Sequence, residues 1–229
     1  MNAAKSGFDR HAAVTRSLLG WGVVAGPFYL VVGLTLALTR PGFDLSQHAL
    51  SLLMLGEWGW MHRANVPLSA LMVLAAAVGL SRAIRSGRGL AIAALTAVYG
   101  LGLILSAVFI PDPARGFPAG ETGRMATTSG LLHLVFGALA LLALTAAAFA
   151  YSGWCRRIGE RRRATISALL GVIIVINFSL GAAFATSTIG IGALWLAVLG
   201  GWALLALASA HVYNWTPHPE VDQNESNVA

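Results

Sequence analysis

The sequence predicts an all-α, polytopic membrane helix bundle of six transmembrane helices, with a short amphipathic helix in the first outer loop. Composition carries most of that reading: 57% of the residues are hydrophobic and only 10% are charged. A soluble domain carries about 25% charged residues, and the mean hydropathy here is +0.73. The second observation is six apolar runs, each near the roughly 20 residues that a helix needs to cross about 30 Å of hydrocarbon. The third is the placement of the basic residues, which fall in the turns between those runs.

In chain order, residues 1–16 form a polar segment with Lys5, Arg10 and Arg16. The membrane domain is expected over residues 17–212. Its first run, Ser17 to Thr39, is longer than a signal-peptide core of about 7–15 residues and reads as a retained span. Gly26-Pro27 falls near its middle, where proline removes a backbone donor. The segment from Arg40 to Ala64 is polar and aromatic by turns. Leu50, Leu53 and Met54 follow helical spacing on one face, and Asp44, His48 and Ser51 on another, which predicts a short amphipathic helix lying at the membrane surface or folded over the bundle. Trp58 and Trp60 suit the headgroup level. Further spans are expected at 65–84, 90–110, 128–151, 164–185 and 191–212. Residues 213–229 form an acidic tail, expected to be disordered. Cys155 is the only cysteine, so no intrachain disulfide can form.

Orientation follows from the Lys and Arg counts in the turns. The N-terminus, the second-to-third turn and the fourth-to-fifth turn hold 3, 3 and 5 basic residues, 11 together, against four (Arg40, Arg63, Arg115, Arg124) on the opposite side. Both termini are therefore expected in the cytoplasm. The net charge of +6 is a topology signal and implies no nucleic-acid partner. Membrane lipids are the expected surroundings.

This orientation gathers polar residues at the outer side. Pro111-Asp112-Pro113 closes the third apolar run, and Gly130-Leu131-Leu132-His133 opens the fourth. Intramembrane titratable groups are costly and usually face a protein interior or wet cavity. Asp44, His48, Ser51, Asn65, Asp112 and His133 are accordingly the candidate ligand-binding residues. They would bind a lipid headgroup, a cation or a small polar ligand without bond-breaking chemistry. A second reading is a membrane-embedded hydrolase or transferase acting on lipid-linked substrates. For that reading Asp44, His48, Asp112 and His133 are possible zinc ligands, being two carboxylates and two imidazoles. A third reading is a proton-linked transporter, with a polar path through Asn177. That residue is otherwise expected to make an interhelical hydrogen bond. No nucleophile elbow and no phosphate-cradling loop occurs, and no cofactor is indicated.

Several stretches resemble a known family. These are Pro41-Gly42-Phe43-Asp44, Gln47-His48-Ala49-Leu50-Ser51 and Leu55-Gly56-Glu57-Trp58-Gly59-Trp60-Met61 with Asn65, then Phe109-Ile110-Pro111-Asp112-Pro113 and Gly130-Leu131-Leu132-His133. They are similar to DUF998, a domain-of-unknown-function family of bacterial and archaeal six-span membrane proteins. The resemblance implies a six-helix protein of the bacterial plasma membrane and supplies no reaction. In that family an acidic residue commonly follows the first-loop serine; Leu52 stands there in this chain.

Reporter fusions test the orientation directly. Both termini and the Arg82–Arg88 turn should report as cytoplasmic, and accessibility of Arg156–Arg163 from outside would overturn the assignment.

Overall fold

The structure is a computed structural model that describes residues 7–121 and 126–221. Lys5, Arg124, and the tail beyond Val221 with its expected disorder, lie outside the described residues. The chain forms six helices: α1 (Arg10–Thr39), α2 (Gly59–Ala83), α3 (Gly87–Val108), α4 (Thr128–Arg157), α5 (Arg161–Ala183) and α6 (Thr188–Trp215). All six are long and apolar enough to cross a membrane. Helices suit hydrocarbon because they satisfy their backbone groups within one segment.

Polar caps set where several helices begin. The Asp9 carboxylate accepts from the amides of His11 at 2.8 Å and Ala12 at 3.1 Å, starting α1 seven residues before the apolar run. Ser86, Thr127 and Ser187 cap α3, α4 and α6 by accepting from Gly89, Gly130 and Gly190 at 3.0–3.1 Å. Pro27 lies inside α1 and Pro67 inside α2, and both helices continue past them.

Successive helices pack side by side, and α6 returns against α1 to close the bundle. It also touches α2 and α4, placing part of it toward the middle. There Trp202 meets Tyr29 and Tyr99 with ring centroids 5.0 and 5.9 Å apart. The closing seam needs small residues. A Cβ on Gly22 would strike Ser209 Oγ and lie 2.8 Å from Ala76 Cβ, and one on Gly26 would lie 2.9 Å from Trp202 Cβ. Large apolar residues such as Val31, Leu38, Leu134 and Ile189 stay exposed, as a lipid-facing surface requires. Before α1, β1 (Gly7–Phe8) pairs antiparallel with β2 (Glu220–Val221) after α6, so the first and last described residues meet at one end of the bundle. The first long loop, 40–58, and the described parts of the second, 109–121 and 126–127, lie at the other.

In the first of these loops the short helix takes the second of its two expected positions, folded over the bundle, with Leu50, Leu52, Leu53 and Met54 all buried. It is shorter than the spacing predicts, a 3₁₀ turn over Leu50–Met54. Residues 44–48 form a separate turn because the Asp44 carbonyl takes the amides of Gln47 and His48. The spacing of Asp44, His48 and Ser51 therefore never becomes a helical face. Two arginines hold the plug in place. Arg40 donates to the Leu53 carbonyl at 2.9 Å and Arg63 to that of Met54 at 2.8 Å.

The α1–α6 seam gives a stability prediction. Gly22→Ala should lower the unfolding midpoint in detergent, by the equivalent of about 1–3 kcal/mol typical of overpacking. Gly20→Ala, which meets nothing within 4 Å, should not lower it. Equal effects at the two positions would refute the close approach.

Candidate functional site

Asp44 spends its carboxylate within its own turn. It accepts from the Ser46 amide at 2.8 Å, the Ser46 hydroxyl at 2.7 Å and Gln47 Nε2 at 3.1 Å. Those bonds, led by the Ser46 hydroxyl, hold its carboxyl below the usual range. The turn's contribution is thus present at neutral pH and lost as pH falls through that depressed value.

His48 is buried and committed at both nitrogens. Nδ1 accepts from the Asp44 amide at 2.8 Å, so the proton sits on Nε2, which donates to the Arg115 carbonyl at 3.2 Å. Its ring lies 5.3 Å from Phe43 and 5.4 Å from Phe117. Arg115 extends this tie, donating to Gln47 Oε1 at 3.1 Å and to the Thr186 carbonyl. Three loops are joined there. Ser51 lies apart from these bonds, in the 3₁₀ turn.

Asp112 and His133 serve two helix ends. The Asp112 carboxylate accepts from the Thr127 amide at 2.9 Å and the Thr127 hydroxyl at 2.5 Å. It presses so closely on α4 that any Cβ on Gly130 would collide with it. A carboxylate is also favoured there by the partial positive charge of a helix start. His133 faces the other way. Its Nδ1 donates to the carbonyls of Ser106 at 2.7 Å and Phe109 at 3.0 Å, which end α3.

The predicted residues are therefore not brought together: Asp44 with His48, Asp112 and His133 each serve their own hydrogen bonds, and Ser51 stands apart. The zinc alternative is not assembled: among the described residues no three His, Cys, Asp or Glu side chains lie close enough to share a metal ion. Asn177 also departs from expectation. Its Nδ2 donates to the Ile173 carbonyl of its own helix at 2.9 Å, in place of an interhelical bond. Serine, threonine and asparagine can satisfy themselves on the preceding helical turn.

Asn65 leads to a residue that the sequence pattern did not single out. Its amide nitrogen donates to the Tyr29 carbonyl at 3.1 Å and approaches His62 Nδ1 at 3.4 Å. His62 is fully buried, with its ring 5.5 Å from that of Tyr29. Its Nε2 has no hydrogen-bond partner among the described residues. The available signal was a histidine three residues before Asn65, on the same helix face. Arg82 and Arg85, read only as topology markers, also share a cleft. It lies at the end where the chain termini meet, has a volume of about 320 Å³, and is lined by Asp9, His11, Thr15 and Thr216 besides.

Comparison with known proteins gives one match. The matching family is described as Protein of unknown function (DUF998), and the match covers residues 23–211. The chain belongs to that family. No match was found among curated proteins or among solved structures. The DUF998 match spans most of all six helices and both long loops, so the hydrogen-bonded groups of the long-loop end all lie inside the family's region.

For this DUF998 protein the Asp112–Gly130 contact predicts coupling. Asp112→Ala should cost about 1 kcal/mol, as losing a helix cap does, and Gly130→Ala should also destabilise, by pushing the carboxylate away. The double variant should cost less than the sum, because without the carboxylate a methyl at 130 is relieved of that collision. Strict additivity in thermal unfolding would sink the contact.

Proposed function

We propose that this DUF998 protein binds a small polar ligand or lipid headgroup at the long-loop end of the bundle, beneath the first loop, without bond-breaking chemistry. In this reading the long-loop end faces outward from a bacterial plasma membrane and both termini are cytoplasmic. One observation carries it: the buried Nε2 of His62, which has no partner among the described residues.

The chemistry of the ligand follows from hydrogen-bond polarity. Asn65 is oriented by the Tyr29 carbonyl, so its amide nitrogen points at His62 Nδ1. An accepting Nδ1 leaves the proton on Nε2, which is then an orphan donor. A ligand for it presents an acceptor: a hydroxyl, carbonyl, carboxylate or phosphate oxygen. Arg40, fastened to the Leu53 carbonyl of the plug at 2.9 Å, brings positive charge to this end of the bundle, which favours such a group and disfavours a cation. A buried donor without a partner costs about 1–3 kcal/mol, and a ligand acceptor would recover it. The Leu50–Met54 plug, with Leu50 against Gly33 beside the His62 ring, supplies a cover that a ligand must lift or pass.

Native mass spectrometry of protein taken from its own membranes in mild detergent tests this. The wild type should retain a bound small molecule or lipid that His62→Phe loses while staying folded. The proposal fails if the adduct is identical in both. It fails equally if neither carries one and His62→Phe simply raises the unfolding midpoint, which is what removing an orphan donor alone would do.

A further inference from the structure

We infer that the cleft where the chain termini meet, opposite the proposed ligand site, binds a phosphate-type anion between Arg82 and Arg85. Arg82 ends α2 and Arg85 lies in the turn that follows. Arg82 donates through Nε to Thr15 Oγ1 at 3.1 Å, and both of its terminal nitrogens lack a partner among the described residues. Arg85 makes one contact, from a terminal nitrogen to His11 Nε2 at 3.3 Å. Both side chains line the same cleft of about 320 Å³, and neither makes an ion pair among the described residues.

Neither topology nor capping accounts for this pair of cations. A positive-inside bias gives them their charge but not their convergence. Neighbouring arginines at this end spend their donors on backbone: Arg16 on the carbonyls of Tyr213 and Thr216, and Arg88 on that of Gly153. The acid in the cleft wall, Asp9, cannot serve both guanidiniums. One of its oxygens already takes the amides of His11 and Ala12, and a single carboxylate leaves two guanidiniums in net positive surroundings. A guanidinium is planar and matches phosphate oxygens two at a time. Thr15 fixes the plane of Arg82, so one such match is preorganised.

The far wall is built by the residues that follow α6. Thr216 and Pro217 line the cleft, and the Asp9 amide donates to the Pro219 carbonyl at 2.7 Å beside the β1–β2 pair. The exposed Trp215 ring stands at the rim, a side chain that favours the headgroup level of a bilayer. The anion could come from a lipid headgroup or from solution, and the two sources differ in the test below.

The full chain is reconstituted in nanodiscs of phosphatidylcholine alone, or with phosphatidylglycerol, and its unfolding midpoint is read. Inorganic phosphate is titrated into the phosphatidylcholine sample. A rise with phosphatidylglycerol but not with phosphate assigns the site to a lipid headgroup; the reverse assigns it to a soluble anion; a rise with both assigns it to the phosphate group itself. In each case Arg82→Gln with Arg85→Gln should weaken the response about ten-fold or more, since charge-assisted bonds are lost. Arg161→Gln with Arg162→Gln removes equal charge outside the cleft and should leave the response intact. Arg85→Gln alone, at an exposed turn position, keeps the test readable if the double variant fails to fold. Absence of any response, or equal weakening by the Arg161 and Arg162 changes, overturns the inference.

Discussion

Every helix end in a membrane bundle leaves backbone groups that water can satisfy only near the surface, and beside its Ser and Thr caps this protein meets that constraint with charged side chains. Arg16, Arg40, Arg63, Arg88 and Arg115 all donate to backbone carbonyls. His133 does the same for the last turn of α3, and Asp112 accepts at the first turn of α4. Groups that would suggest catalysis in an isolated reading are thereby tied into the scaffold. Each tie also links one segment to another, so capping and tertiary packing are the same interaction here.

That double duty explains what could and could not be read from the chain. The spans were legible because hydrophobicity accumulates over some twenty residues and needs no partner. The pairing of Phe109-Ile110-Pro111-Asp112 with Gly130-Leu131-Leu132-His133 was legible as a pattern, and the structure gives its reason. The carboxylate at 112 requires glycine at 130, and the imidazole at 133 requires the open carbonyls at the end of α3. Asp44, His48 and Ser51 misled because four-residue spacing is shared by helices and by Asx-type turns. Partners that are carbonyls, as for His133 and Arg40, carry no side-chain signature. The sequence therefore suggested acid and base where the fold uses acceptor and donor. For a related reason His62, one more polar residue of the same expected outer side, was not singled out. It is distinguished by a bond it does not make.

The two ends of the bundle consequently differ in kind. At the long-loop end, Arg40 and Arg63 fasten a buried apolar plug over the Tyr29, His62 and Asn65 group, and His48 fastens the same loop to its neighbour. At the other end, Arg82 and Arg85 remain with donors to spare, and the wall of their cleft is made by residues at the start of α1 and just past the end of α6. Polar groups are nearly exhausted at one mouth and in surplus at the other.

The seam between α1 and α6 has a consequence for how the protein is made. The glycines at 22 and 26 leave a trough on α1, and its matching ridge, Trp202 and Ser209, is on α6. Ala76 of α2 covers one edge of that trough near Gly22, but until α6 has been translated the rest has no helix to fill it, and lipid or the insertion machinery must occupy it. The bundle thus reaches its final form only once α6 has been made. A chain released early would present to the bilayer a groove shaped for a helix it does not have.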